Sequence, residues 1–428
     1  MRIFWRTVYS GLLLPLALLL LRVAAIWNAK VRESLAGRNG IWQRLEAGAR
    51  RRDATKKLVW FHVASAGELL QAEPVMARLI EAGYECAVTV TSITGYRWGA
   101  RRNPDRPGPL LLDFLPLDTR ANARRMFLLL RPAALVFVKF DLWPNLIWEA
   151  DRVSLPLFLI SATLHGGSRR YSSRAGRSVY GSLYGCFAGI FAVSDGDLER
   201  FLRTCPDHSN VKNIGDTRFD SILERKQAIH PVDLPAYVKA RPTIIVGSSW
   251  PADEAEVLPV LREALAEFPD LVTLLVPHEV DEPHLAAIEA SFGTTPPVRL
   301  SRLAAAQGEP RTILVDSVGK LSALYHYADL AYVGGSFGAG VHNVAEPLVM
   351  GVPVIFGPLY HNSPEAVEFL ERGFCFSIAG AEQLRPVLFD FLSDLTRCHT
   401  IGKAAAQAIQ AKGGAAEKCF TLIRTALE

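Results

Sequence analysis

Short apolar runs alternate along the chain with segments whose apolar residues recur at helical spacing. A first series begins at Lys57 and contains KLVWFHV, YECAVTV, ALVFVKF, LPLFLI and GIFAV. A second series begins at Thr243 and contains TIIVG, LVTLLVP, RTILV, LAYVGG and VPVIFG. Continuous apolar runs are typical of strands covered on both faces, as in parallel sheets between helical layers. The pattern therefore predicts an α/β fold with two doubly wound domains.

The junction between the two series is predicted to lie within residues 215–242. This stretch is charged, contains three prolines and has no strand-like run. We therefore expect an N-terminal Rossmann-like domain over residues 31–225 and a C-terminal one, with the last helices, over residues 240–428. A length of 428 residues with 50% apolar residues fits two domains.

The first thirty residues form a separate apolar segment. Arg2 and Arg6 precede an apolar stretch, Gly11 to Trp27, and aromatic residues flank both of its ends. This arrangement favours a membrane anchor over residues 1–30 that either spans the bilayer or lies in its surface, with the bulk of the chain cytoplasmic. A cleaved signal peptide and an ordinary buried helix remain as alternatives.

Charge and cysteine content narrow the function classes. A formal net charge of +4 without basic and aromatic interleaving gives no reason to expect a nucleic-acid partner. The six cysteines are scattered without a CxxC pair, so neither a zinc site nor a disulfide framework is indicated.

Ligands of open α/β sheets bind beyond the carboxyl ends of the strands. In the second series these ends carry a group of small and polar residues: Ser248, Ser249, His278, Gly334, Gly335, Ser336, Asn343 and Glu346. Glycines allow backbone amides to approach a ligand, and a helix start favours phosphate. Taken alone, Asn343 and Glu346 also fit a helix-capping pair. Together, the residues predict a nucleotide site.

Several motifs are absent from the chain. It contains no GxGxxG with a following acidic residue and no GxxxxGK[ST], which disfavours dehydrogenases and P-loop enzymes. The HVASAG segment does not form the GxSxG turn of an α/β-hydrolase nucleophile. Asp195 and Asp197 stand before a helical pattern, where Ser194 or Asp195 would cap the helix and acidic residues favour its dipole, so the pair is interpreted as structural. No metal site is predicted.

The motifs that remain resemble those of the Kdo transferases, which move 3-deoxy-D-manno-octulosonic acid (Kdo) from CMP-Kdo to a lipid A precursor. The matching segments are HVASAGE, FDLWPNL, ISATL, GDTRFD, VGSSWPADEAEVL and GGSFGAGVHNVAEPLVMGVPVIFGP. The resemblance implies a GT-B architecture of two Rossmann-like domains facing each other across a cleft, with the donor on the C-terminal domain. It also implies a location at the cytoplasmic side of the inner membrane, with no cofactor beyond the donor substrate CMP-Kdo.

The resemblance further assigns roles to individual residues. Glu68 corresponds to the family's general base, with Ser65 and Gly67 shaping its loop. Glu346 resembles the ribose-binding carboxylate, while Ser248, Ser249 and the amides near Gly334 to Ser336 are expected to meet the phosphate. Without the resemblance, Glu68 would be interpreted as a carboxylate stabilised by a helix dipole.

The chain departs from the commoner family pattern where charge is handled. Lys139 and Asp141 stand where many members carry glutamates, and PHE, with His278, replaces PRH. Lys139, Arg218 and His278 are therefore candidates for the basic residue that binds the carboxylate or phosphate of the donor. A sugar-nucleotide epimerase and a noncatalytic membrane-bound sugar-nucleotide binding protein remain alternatives.

Overall fold

The computed structural model describes residues 2–100, 108–205, 210–229 and 232–428. Within it the chain divides into two compact units. Unit 1 extends to Ser221 and also includes Lys412–Glu428, whereas unit 2 comprises Ile222–Ala411.

Unit 1 is built on a parallel sheet of seven strands in the order β3-β2-β1-β4-β5-β6-β7. The strands are β1 Leu58–Val63, β2 Glu85–Val90, β3 Leu111–Phe114, β4 Ala134–Val138, β5 Leu157–Ala162, β6 Gly189–Ala192 and β7 Val211–Asn213. The helices are α1 Arg2–Val8, α2 Leu14–Trp27, α3 Ala29–Ala36, α4 Ile41–Ala49, α5 Ala66–Glu81, α6 Ile93–Ala100, α7 Arg120–Leu130, α8 Pro144–Arg152, α9 Arg169–Ser172, α10 Arg174–Tyr184, α11 Asp195–Thr204 and α12 Thr217–Ala228, and α12 continues into unit 2.

Unit 2 contains a second parallel sheet of seven strands in the order β10-β11-β9-β8-β12-β13-β14. Its strands are β8 Thr243–Ser249, β9 Val272–Pro277, β10 Val298–Arg299, β11 Thr312–Leu314, β12 Leu330–Val333, β13 Val354–Phe356 and β14 Cys375–Ser377. Its helices are α13 Ala236–Ala240, α14 Pro251–Glu267, α15 Glu282–Ser291, α16 Leu321–Leu324, α17 Ala345–Val349, α18 Pro364–Glu371, α19 Ala381–Ser393 and α20 Leu395–Gln410.

The central strands of both sheets are buried along their length, as continuous apolar runs predict. Strand order reverses direction beside β1 and β4 in the first sheet and beside β8 and β12 in the second. Such a switch point separates two neighbouring loops and opens a crevice at the carboxyl edge of a sheet. Each unit therefore has one predictable place for a ligand.

The last helix, α21 Ala415–Leu427, belongs to unit 1, although residues 240–428 were expected to form one domain. Asp220 accepts hydrogen bonds from the backbone N–H groups of Gly414 and Ala416, at 2.7 and 3.2 Å, at the start of this helix. Phe420 and Ile423 then pack into the core of unit 1. The capping of α21 and the burial of its apolar side chains together explain why the end of the chain packs on unit 1.

One helical segment of the described chain, Arg2–Trp27, is long and apolar enough to cross a membrane by length and composition. Its most apolar window of 18 residues has a mean hydropathy of 2.0, and 6% of that window is buried. It contains a π-helical turn over Tyr9–Leu13 between α1 and α2.

Candidate functional site

Glu68 lies in the first turn of α5, directly after β1. The Ser65 side chain caps this helix by accepting a hydrogen bond from the Glu68 N–H at 3.4 Å. In return, Oε2 of Glu68 accepts a hydrogen bond from the N–H of Ala64 at 2.5 Å. This reciprocal pairing resembles a capping box and fixes the carboxylate at the switch point between β1 and β4.

The loop after β4 is joined to β1 by a buried histidine. Nε2 of His62 lies 3.1 Å from Oδ2 of Asp141, and its Nδ1 lies 3.0 Å from Oγ1 of Thr89. Asp141 also accepts hydrogen bonds from Thr91 and Trp143, at 2.9 and 3.1 Å. Burial favours the neutral acid, yet these hydrogen bonds outweigh it and hold the pKa of Asp141 below its usual value. Asp141 is therefore a fixed negative charge at this edge.

Electrostatics near Glu68 favour a proton-accepting role close to neutral pH. Burial raises the pKa of the Glu68 carboxyl to about 7, and the nearby charge of Asp141 adds to that rise. The Ala64 hydrogen bond and the positive charge of Lys139 act in the opposite direction. Lys139 itself adopts a left-handed backbone conformation, with φ of 60°, at the end of β4. The structure thus brings together Glu68, Lys139 and Asp141.

Gly67 lies at an open position in the first turn of α5. It is exposed, and a Cβ placed there would meet one atom within 4 Å, the Ser65 Oγ at 3.9 Å, with its chain neighbours left aside. Its φ is not positive, so the backbone does not require glycine. The loop is therefore shaped chiefly by Ser65.

A buried polar network that sequence reasoning missed supports α5 from the ISATL and GDTRFD segments. Oγ1 of Thr217 donates to the Gln71 backbone carbonyl and lies 2.7 Å from Oγ of Ser161. Gln71 in turn donates through Nε2 to Asp216 at 3.1 Å, and the same Asp216 oxygen accepts from the Arg218 N–H. Arg218 thereby lies beside the helix that carries Glu68. The sequence signal for this network was that both segments, although distant in the chain, belong to the motifs that resemble the family.

In unit 2 the ends of β8 and β12 approach closely because Gly334 has no side chain. A Cβ at Gly334 would lie 2.3 Å from the carbonyl oxygen of Ser248. Ser248 and Gly335 both have positive φ, 54° and 94°, which bends the backbone within the last residues of β8 and just after β12. The predicted residues Ser248, Gly334 and Gly335 therefore meet at the switch point of the second sheet.

Asp253 organises this loop and was also missed from the sequence. The fully buried carboxylate accepts hydrogen bonds from the N–H groups of Trp250 and Gly335, at 3.0 and 2.8 Å, and from the hydroxyl of Tyr332 at 2.9 Å. The position of Asp253 three residues after the Trp250 cap, before a helical pattern, was the available signal.

Two of the serines predicted to bind the sugar nucleotide have buried hydroxyl groups that form hydrogen bonds within the protein. Ser249 donates to Oε1 of Glu254 at 2.8 Å, while Oγ of Ser336 accepts from the N–H of Gly357 at 2.6 Å. These contacts hold the loop in shape. Asn343 is exposed, and its side chain accepts from the N–H of Ala345 at the start of the five-residue helix α17. This arrangement matches the capping alternative for Asn343.

An aromatic stack stands at the same edge. The rings of Trp250 and His278 lie 4.4 Å apart, and those of His278 and His342 lie 4.6 Å apart with an interplanar angle of 14°. Nε1 of Trp250 donates to Nε2 of His342 at 2.9 Å. Burial lowers the pKa of His342, and neighbouring His278 lowers it further. His342 is therefore a neutral acceptor, and the stack offers a flat surface for a base or sugar.

Glu346 is held by two partners within unit 2. Its carboxylate accepts a hydrogen bond from Ser322 at 2.8 Å and forms an ion pair with Arg225 at 3.3 Å. Both contacts leave lone pairs that a ribose hydroxyl can use. The Asp197 side chain, by contrast, receives N–H groups of Leu164 and Arg200 as well as the Ser194 hydroxyl, which agrees with its interpretation as a structural residue.

Comparisons with known proteins identify the family. A family model described as 3-deoxy-D-manno-octulosonic-acid transferase (kdotransferase) matches residues 39–221. A 3-deoxy-D-manno-octulosonic acid transferase of Chlamydophila psittaci is 31% identical over 331 residues, which cover 74% of this chain and 73% of the relative. One of Haemophilus influenzae is 25% identical over 436 residues, 99% of each chain.

Among solved structures, a putative UDP-N-acetylglucosamine 2-epimerase of Listeria monocytogenes superposes with a TM-score of 0.57 at 15% identity. The match covers 83% of this chain and 95% of that one. At this identity the likeness shows the fold, which confirms the predicted GT-B class. The sequence matches go further: the chain belongs to the 3-deoxy-D-manno-octulosonic acid transferase family.

Proposed function

We propose that this Kdo-transferring glycosyltransferase moves Kdo from CMP-Kdo to a sugar hydroxyl of a lipid A precursor, with Glu68 as the general base and without a metal ion. Family membership establishes the transfer of Kdo. The donor, the acceptor, the base and the metal independence are the parts proposed.

The position and chemistry of Glu68 carry the proposal. An acceptor hydroxyl is a poor nucleophile until its proton is removed, and a base works best when its pKa lies near the working pH. Burial places the pKa of Glu68 at about 7, and the residue stands directly after β1 at the carboxyl edge of the sheet, where ligands of open α/β sheets bind. As the hydroxyl oxygen attacks the anomeric carbon of Kdo, Glu68 accepts the proton. The bond from that carbon to the CMP phosphate breaks, and its electron pair leaves with CMP.

The loop of unit 2 is suited to the leaving nucleotide. Gly334 and Gly335 let the backbone approach closely at the switch point. Their own N–H groups donate to Gly247 and Asp253, so the remaining N–H groups of the loop are proposed to stabilise the charge of a departing phosphate. The stack of Trp250, His278 and His342 can hold the cytosine or its ribose, and Glu346 can accept from ribose hydroxyls. Ser249 and Ser336 support this site by keeping the loop rigid.

The proposal of metal independence rests on which potential metal ligands the described residues bring together. Among the described residues no group of three histidine, cysteine or acidic side chains is arranged to hold a metal ion. The proposed chemistry needs a base and fixed hydrogen-bond donors for the phosphate, and both are available from the protein.

The apolar helix is proposed to attach the enzyme to the cytoplasmic side of the inner membrane. Both ends of its apolar stretch are tied to unit 1. At one end Tyr9 and Ser10 donate to Asp118 and Asn145, at 3.0 and 2.6 Å; beyond the other end Arg38 donates to the carbonyl of Leu115 at 3.0 Å. This favours insertion into one leaflet over a full span, because a span would separate the two ends.

Mass analysis of products tests the proposed reaction. Incubation of the enzyme with CMP-Kdo and a tetra-acylated lipid A precursor should release CMP and add Kdo to the lipid. Conversion of CMP-Kdo to an isomer without the lipid would instead favour an epimerase. Failure to alter either compound, with nucleotide binding intact, would favour a binding protein.

A further inference from the structure

Four arginines surround a single buried carboxylate beside the N-terminal helix. The side chain of Glu149 in α8 is fully buried. It forms ion pairs, at 2.5 to 3.0 Å, with four arginines: Arg6, Arg120, Arg124 and Arg152. Burial alone would raise the pKa of Glu149, but the arginine hydrogen bonds outweigh it and lower this pKa to about 2. One carboxylate cannot neutralise four guanidinium groups, so the cluster carries an excess of positive charge.

This charge faces an open cleft of about 650 Å³, which we call the arginine cleft. It is lined by Ile3, Arg6, Thr7, Ser10, Gly11, Arg120 and Arg152. Arg120 and Arg152 each use Nε to bind Glu149, and their side chains remain 45% and 48% exposed. Guanidinium groups with exposed N–H donors suit phosphate oxygens.

The wall of the cleft is the start of the apolar helix. Ser10 and Gly11 belong to the π-helical turn, a feature that often occurs at functional sites. Gly11 exposes no side chain, and a Cβ there would meet nothing within 4 Å. Immediately beyond, the helix presents exposed leucines: Leu12, Leu13, Leu16, Leu19, Leu20 and Leu21. A basic cleft at the edge of an exposed apolar surface matches the boundary between lipid headgroups and acyl chains.

We propose that the arginine cleft binds the phosphate of an anionic phospholipid whose acyl chains lie against the exposed leucines of α2. This site shares no lining residue with the surroundings of Glu68 or with the nucleotide loop, and the proposal is independent of the proposed transfer reaction. It would fix the depth and orientation of unit 1 on the membrane through a specific contact.

Vesicle binding by the full-length protein tests the proposal. The probe is phosphatidylcholine vesicles with and without phosphatidylglycerol, at fixed ionic strength. Each basic residue near an anionic surface contributes about fivefold in affinity, so Arg120→Gln with Arg152→Gln should weaken binding to the anionic vesicles about 25-fold. Glu149 keeps Arg6 and Arg124 in this variant, so it remains compensated.

Two controls separate a specific cleft from general electrostatics. Arg203→Gln with Arg372→Gln removes the same charge from exposed arginines that each pair with a glutamate four residues earlier in the chain, and it should weaken binding only slightly. Gly11→Leu fills the cleft without a change of charge and adds apolar surface. It should nevertheless weaken binding to the anionic vesicles.

Three results would overturn the proposal. Equal losses in the two double variants would show diffuse attraction to charge. Unchanged or tighter binding by Gly11→Leu would show that the cleft is not used. Release of the wild-type protein by inorganic phosphate, at matched ionic strength, would assign the cleft to a soluble phosphate compound in place of a lipid.

Discussion

Nε2 of His62 lies 3.1 Å from Oδ2 of Asp141, which joins the end of β1 to the loop after β4. His62 belongs to β1 and Asp141 follows β4, the two strands on either side of the switch point. This contact fixes a negative charge close enough to Glu68 to raise the pKa of its carboxyl. The basicity of the proposed base is therefore set partly by a residue 73 positions away in the chain.

The pH dependence of transfer should reveal this relationship. Since Glu68 must be ionised to accept a proton, kcat should fall as the pH drops below about 7. Asp141→Asn removes the negative charge, lowers the pKa of Glu68 and should move this acid limb to lower pH. Thr91→Val is the matched control, because it removes a hydrogen bond to Asp141 but keeps the charge. An acid limb that does not move in Asp141→Asn would contradict the assignment.

Stability should show the cost of keeping Glu68 buried. The folded state retains the Glu68 proton up to about pH 7, whereas the ordinary value is 4.5. Between these values the folded state binds more protons than the unfolded state, so the stability from this group is lost as the pH rises. Glu68→Gln does not titrate, and it should gain stability relative to wild type by roughly 1–3 kcal/mol between pH 4 and 8.

Urea denaturation across this pH range measures the difference in the free energy of unfolding. Glu81→Gln, at the exposed end of the same helix, is the control for the same substitution outside the buried site. A difference between Glu68→Gln and wild type that does not change with pH would contradict the raised pKa of Glu68.

Asp253 provides a test of the nucleotide loop. Asp253→Asn replaces an acceptor oxygen by an N–H₂ group that faces backbone donors, so it should destabilise unit 2 by about 3 kcal/mol and weaken CMP binding. Glu263→Gln, on the exposed side of α14, should change neither. Thermal unfolding and calorimetric titration with CMP measure the two effects. Wild-type CMP affinity in Asp253→Asn would show that the loop is not the donor site.

Metal removal is predicted to leave transfer unchanged. The proposed reaction uses Glu68 and backbone donors, so an excess of chelator should not alter the initial rate. The check is the rate of CMP release before and after dialysis against the chelator. A rate that falls and is restored by magnesium would contradict this part of the proposal.

Local patterns predicted much of the fold. The apolar runs located the central strands, and the carboxyl ends of those strands located the two candidate sites, because sheet topology confines ligands to that edge. Glu68 could be interpreted as a first-turn carboxylate stabilised by the helix dipole, since that signal is local. The resemblance to the family is what suggests a base at this position, which the local pattern alone could not do.

Long-range pairings could not be predicted in the same way. The contact of Arg6 with Glu149 and the capping of α21 by Asp220 join segments far apart in sequence, and a single sequence contains no record of such proximity. Asp253 was overlooked for a different reason: its position fits an ordinary helix start, while its role depends on how closely β12 approaches β8.

The most direct test is transfer by Glu68→Gln. The substitution keeps the size of the side chain and its acceptor for the Ala64 N–H, but it removes the base. We expect Kdo transfer to fall by roughly 10²–10⁴-fold, while calorimetry shows CMP affinity close to that of wild type. Transfer at a near-normal rate by the folded variant would contradict the account.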